Sequence, residues 1–320
     1  MIESLINPRS VEKHPWEAFI AGFLFTIVAC LLTLQIGVTS GAGFLVVSFI
    51  TIAAAPFIVR VFDIEEKKHG GNLFQRHMDV IRIYAFFFIA VIFASSLIFV
   101  MMPTTSSSGL FTEQVHDLCS KNIITDTACG TGAGSISGEV TGKVLMGAGG
   151  GAALGTGGGG SVSGAAITAM ASSSASAFRP GFADIFVNNM EVLVLAFVLS
   201  LMLGAGAIFL IAWNATIIGV LIAKIAETPA AFGALELMPG NTALNYIFAL
   251  PYTLLLLLPH GIFEFGAYFI GAVAGGILSV AIIREKYKMG SIMPIAFDSL
   301  KYFAIAVALL LVGAVIEVGI

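Results

Sequence analysis

His260 and Glu264 stand out in "YTLLLLLPHGIFEFGAYFIGAVAGGILSVAII", Tyr252 to Ile283, a run otherwise built for lipid. A spacing of four puts both side chains on one helix face, about one turn apart. An imidazole and a carboxyl so placed can hold a proton, bond a neighbouring helix, or supply half of a metal site. A charge at the centre of a spanning helix costs roughly 2.5–3.5 kcal/mol for Asp, Lys or Arg, so such groups are shielded, paired, near an interface, or functional. Four more side chains are of the same kind: Asn188, Asn189 and Glu191 open one apolar run, and Glu317 lies near the end of another.

Each has an ordinary use. Asn188 and Asn189 can cap a helix. Glu191 and Glu264 in a first turn favour the helix dipole. His260 can bond a carbonyl freed by Pro259, and Glu317 can be solvated. Three acids, a histidine and an asparagine pair at one depth instead point to a deliberate polar cluster, with packing, proton or cation binding, and partner recognition all open.

Zinc sites generally use several His or Cys ligands, and this cluster offers one His. No Ser-His-Asp set or His-Glu-x-x-His motif is present. The expectation is therefore no catalytic residue, no metal, no cofactor and no enzyme. A net charge of −4 points to no nucleic-acid partner.

The elements that must position these residues follow from composition. The chain has 320 residues, 58% apolar and 11% charged, against about 25% charged in a soluble domain. This is the composition of an all-α, polytopic integral membrane protein. Runs long enough to cross a bilayer fall at about 17–37, 42–59, 83–102, 188–212, 243–258, 261–283 and 298–318. The segment 214–224, apolar but short after a Trp-Asn break, reads as a re-entrant or interfacial helix. The polar start, "MIESLINPRSVEKHPWEAF", leads into the first run without a small-residue cleavage site, which reads as a retained anchor.

Lys and Arg set the orientation. With the N-terminus inside, Arg9, Lys13, Arg60, Lys67, Lys68, Arg76, Arg82, Lys224, Arg284, Lys286, Lys288 and Lys301 fall inside, and Lys121, Lys143 and Arg179 fall outside. Of the 15 Lys and Arg, that is 12 against 3. Seven spans result, with the N-terminus cytoplasmic and the C-terminus and loop 103–184 extracytoplasmic. Counting 214–226 as a further span would push "REKYK", 284–288, outside and spoil the asymmetry.

The outer loop has a polar part with one short helix, then a Gly/Ser/Ala tract from Gly130 to Gly164. That tract reads as a tether. As a phosphate cradle it lacks the Lys-Ser or Lys-Thr pair. Cys119 and Cys129 lie in this loop and could form a disulfide in an oxidising exterior, whereas Cys30 reads as a core residue. Three parts follow: 1–82, a two-span extension with a cytoplasmic charged loop; 83–179, a span and the long outer loop; and 180–320, the main membrane domain.

Pro is preferred at the first position of a helix, so Pro259 is expected to open the sixth span. Glu264 and Glu317 then lie toward the outer side, level with Asn188, Asn189 and Glu191. Gly266, Gly271, Ala274, Gly275 and Gly276 predict close helix packing, with Gly204 to Ala207 able to accept a neighbour.

Three stretches together resemble the stage II sporulation protein M family: "FVNNMEVLVLAFVLSLMLGAGAIFLIAWNATIIGVLIAK", "LLPHGIFEFGAYFIGAVAGG" and the final "VGAVIEVGI". The string Pro259, His260, Gly261, Ile262, Phe263, Glu264 is the most specific part. Asn214 with Gly219, the Asn-rich entrance and Glu317 agree in order and spacing. The first two spans look like the extension of archaeal relatives. The resemblance implies five family spans, N-terminus in and C-terminus out. It also implies a membrane scaffold, which in spore formers recruits wall hydrolases.

The expected function is a non-enzymatic scaffold or anchor in the lipid bilayer, able to pair with a second copy and to organise an outer-side protein partner or membrane remodelling. A cation or proton transporter using the His/Glu cluster is the alternative, and a metal-dependent membrane hydrolase is the third.

Overall fold

The computed structural model describes residues 11, 14–38, 40–66, 73–102, 109–120, 124, 181–229, 240–284 and 289–319. They form helices: α1 (Trp16–Ile36), α2 (Ala42–Glu66), α3 (Leu73–Met101), α4 (Thr112–Ser120), α5 (Phe182–Leu203), α6 (Ala207–Glu227), α7 (Thr242–Arg284) and α8 (Met289–Gly319). All but α4 are long and apolar enough to cross a membrane, which gives seven candidate spans in a multi-pass protein. The Gly-rich tract 130–164 lies outside the described residues.

Lipid offers no hydrogen-bond partner, so a spanning backbone must satisfy itself, and helices do. Hydroxyl side chains follow the same rule. Thr26 donates to the Gly22 carbonyl at 2.8 Å, Ser95 to Val91 at 2.7 Å and Thr253 to Ala249 at 2.7 Å, each one turn back on its own helix.

Two differences from the sequence expectation change how the chain divides into spans. The apolar run 188–212 breaks at Gly204–Gly206, not at Trp213–Asn214. Gly204 has φ +72°, a left-handed value that favours glycine, and the chain turns there from α5 into α6. The segment 214–224 is thus no short re-entrant helix but part of the 21-residue α6, the most enclosed span, 94% buried. The second difference is that 243–258 and 261–283 form one helix, α7, with Pro251 and Pro259 inside it. Pro259 does not open a helix. One span is added and two are merged, so the count of candidate spans stays at seven.

Lys224 does change ends. Its ammonium lies 5.2 Å from the centre of the Phe99 ring, near the end of α3 from which the 103–184 segment departs. It ion-pairs with Glu227 at 2.9 Å. The short helix packed into the bundle is α4. Glu113 accepts the backbone N–H groups of Gly41 and Gly43, at 2.7 and 2.8 Å, at the start of α2. Gln114 donates to Thr216 of α6 at 3.2 Å.

The prolines bend α7. Tyr246 bonds Ser96 of α3 at 2.7 Å, and Phe269 stacks on Tyr84 of α3. At ~1.5 Å per residue α7 runs about 35 Å between these points, while Ser96 and Tyr84 are only about 18 Å apart along α3. The helix therefore bows away, consistent with the donors and packing lost at Pro251 and Pro259. An apolar cleft of about 420 Å³ opens between Phe88, Ile92, Leu254, Leu257 and Ile262.

Past the bow, α7 packs most extensively on α8 and α5. Helix α5 runs in the same direction as α7, pairing Leu193 with Gly271, Phe197 and Ser200 with Gly275, and Gly204 with Ser279. Helix α8 runs the other way, with Ser299 donating to the Ala274 carbonyl at 2.8 Å. A Cβ at Gly275 would overlap the Phe197 carbonyl and lie 2.8 Å from Ser200 Cβ. Overpacking costs about 1–3 kcal/mol, and backbone cannot retreat as a side chain does. Gly275→Val is expected to lower the melting temperature in detergent by several degrees. Gly266→Ala, whose Cβ meets only Leu309 at 4.0 Å, should match the parent. Equal melting of all three proteins would show that α5 and α7 do not pack this closely.

Candidate functional site

The α5–α7–α8 junction carries the polar residues. Helix α5 begins at Phe182, six residues before the expected span, with Asp184 accepting the Gly181 N–H at 3.1 Å. Asn189 is therefore two turns inside the helix and not a cap. It is buried, and its amide is used at both ends: Nδ2 donates to Glu264 Oε1 at 2.6 Å, and Oδ1 accepts the Tyr268 hydroxyl at 2.9 Å. Glu317 of α8 lies near enough to Glu264 for the two carboxyl groups to interact electrostatically. The hydrogen-bond network thus runs from Tyr268 through Asn189 to Glu264, across α5 and α7, with Glu317 of α8 beside it.

Glycine makes the approach possible. A Cβ at Gly313 would stand 3.2 Å from Glu264 Cγ and 3.7 Å from the His260 carbonyl. Gly313 and Glu317 share a face of α8, one turn apart, so the glycine admits α7 where the acid meets it.

Other expected members stand apart. Asn188 and His260 are half-buried, and Asn188 Nδ2 and His260 Nδ1 are enclosed without a hydrogen-bond partner. Glu191 is exposed. Two positions beyond Asn189 is about 200° around the helix, so the packing that buries Asn189 turns Glu191 outward. Asn214 sits on α6 and donates to the Leu210 carbonyl at 2.8 Å. Gly219 lets α6 lie against Ser95 and Ile92 of α3. In the string from Pro259 to Glu264, Pro259 and Ile262 are exposed, Gly261 is buried beside Phe265, and Phe263 is half-buried. Cys119 is engaged in a disulfide, and Cys129 lies outside the described residues. Among the described residues, no three His, Cys, Asp or Glu side chains converge as a metal site would need.

Tyr268 and Gly313 belong to the junction and were not singled out from the sequence. A signal for both was present: Tyr268 follows Glu264 by four, and Gly313 precedes Glu317 by four. Each shares the face of a residue already in question.

A polar junction inside an apolar bundle of this kind defines a multi-pass α-helical membrane protein whose spans are interlocked by side chains. Residues 83–320 match Stage II sporulation protein M, and the chain belongs to that family. No curated protein and no solved structure matches it.

A hydrogen bond between spanning helices is worth about 0.6–1.7 kcal/mol in measured cases. Asn189→Leu and Glu264→Leu should each destabilise the bundle, and the double variant should cost less than the sum by about that amount. The measurement is a double-mutant cycle of unfolding in mixed detergent. Strict additivity would show that the two side chains do not interact.

Proposed function

We propose that this chain is a non-enzymatic membrane scaffold whose α5–α7–α8 junction holds a fixed helix arrangement for partner proteins. The observation that carries this reading is the use of Asn189 at both ends of its amide, which turns the polar groups on one another rather than toward a substrate. Fully connected buried networks rigidify and specify one packing. Family membership supports the same reading.

In this reading the N-terminus is cytoplasmic, and the C-terminus and loop 103–184 are extracytoplasmic. Moving Lys224 to the loop side changes the Lys and Arg count to 11 inside and 4 outside, of 15. The asymmetry still favours this orientation. Purification from native membranes should yield a defined partner, depleted in Asn189→Leu and Glu264→Leu. Recovery of the bare protein alone, with and without cross-linker, would overturn the scaffold.

A second reading rests on the contact between Glu264 and Glu317. Acid side chains gathered inside a membrane mark ion pathways and proton relays. Liposome flux that depends on Glu264 would support it. Equal flux from the parent and Glu264→Gln would remove it.

A further inference from the structure

Val187, Glu191, Val194 and Val198 are all exposed and follow one another at helical spacing, so they form one stripe along α5. At ~1.5 Å per residue, Glu191 stands about 13 Å from the first residue of a helix about 33 Å long, close to the middle of a ~30 Å hydrocarbon core. Asp184 in the first turn marks the aqueous end. No described residue bonds or ion-pairs with Glu191.

Acids inside a membrane face the bundle interior or pair with something. Glu264 follows that rule within the chain by bonding Asn189, whereas Glu191 faces out. Its complement therefore belongs to another segment. A two-fold contact through this stripe does not supply it, since that brings the same valines and a second carboxyl, without a positive charge. The flanking valines are β-branched and nearly locked in one helical rotamer, so they offer a rigid ridge for a neighbouring helix.

We propose that this stripe docks a transmembrane helix of a partner protein that carries a basic side chain to the depth of Glu191. The proposal rests on the scaffold reading and names the chemistry of the partner.

The test uses the full chain in native membranes with photoreactive benzoylphenylalanine at Val187 or Val194. Val28, exposed on α1, is the off-stripe control. Adducts from α5, absent from α1, should map by mass spectrometry to a spanning segment that bears Lys, Arg or His. Their yield should fall about tenfold or more in Glu191→Leu and Glu191→Lys. It should return when Glu191→Lys is combined with a Glu at the partner's basic position.

Adducts to lipid alone, to a second copy, to residues 121–180 of the same chain, or to a segment without a basic residue would each overturn the proposal. So would a yield indifferent to Glu191. If a defined partner still co-purifies in those cases, the scaffold stands and only the docking stripe falls. If none co-purifies, both fall.

Discussion

The hydrogen bond from Asn189 to Glu264 shows the constraint on which the rest of this bundle depends: a polar side chain in lipid must find its partner inside the protein. Asn189 meets that demand by reaching two residues of α7, Glu264 and Tyr268, and Glu264 lies against Gly313 of α8. The demand also fixes the surrounding steric pattern. A bond of 2.6 Å between side chains of adjacent helices requires close backbones, and Gly271, Gly275 and Gly313 are where those backbones approach. The polar residues and the glycines are one solution to a single problem. Lipid chains are as apolar as leucine, so close packing and interhelical hydrogen bonds, rather than hydrophobic burial, are what favour helix association.

The same rule operates at the start of α2. The first backbone N–H groups of α2 have no partner within their own helix, and the Glu113 carboxylate supplies one with two bonds. A negative charge there also complements the positive end of the helix. A Cβ on Gly43 would overlap Gln114 Oε1 and crowd Glu113, so glycine keeps that space clear. Since α2 precedes the family-matched residues 83–320 and α4 lies within them, this contact seats the leading helices on the family domain.

What the sequence made legible and what it hid have a common physical cause. Hydropathy records whether a segment avoids water, and seven such helices were expected and are present. It does not record whether the segment meets lipid or protein. Helix α6 is as apolar as its neighbours yet almost wholly enclosed; the sequence shows 214–224 as too short to span because the polar Asn214 hides the continuity of the helix from Ala207. Proline was read as a helix start at 259, but a long helix held by neighbours on several sides absorbs it as a bend. The polar residues were legible as a set because they break an apolar pattern. Their grouping was not, because burial of one face and not the other depends on which neighbour α5 meets.

That last point ties the inward and outward chemistry of α5 together. Asn189 and Glu191 lie almost on opposite faces of one rigid helix, so the bond that holds Asn189 to Glu264 also sets the direction in which Glu191 points. Rotation of α5 that broke the inner network would turn the whole outward stripe, Glu191 with its valines, to another direction. A scaffold needs this property, because a docking surface is useful only if its charges stay in register with the partner. In this bundle the register is held by the buried amide of Asn189, Glu264 and the glycine contacts of α7, none of which a partner at the exposed stripe would have to touch.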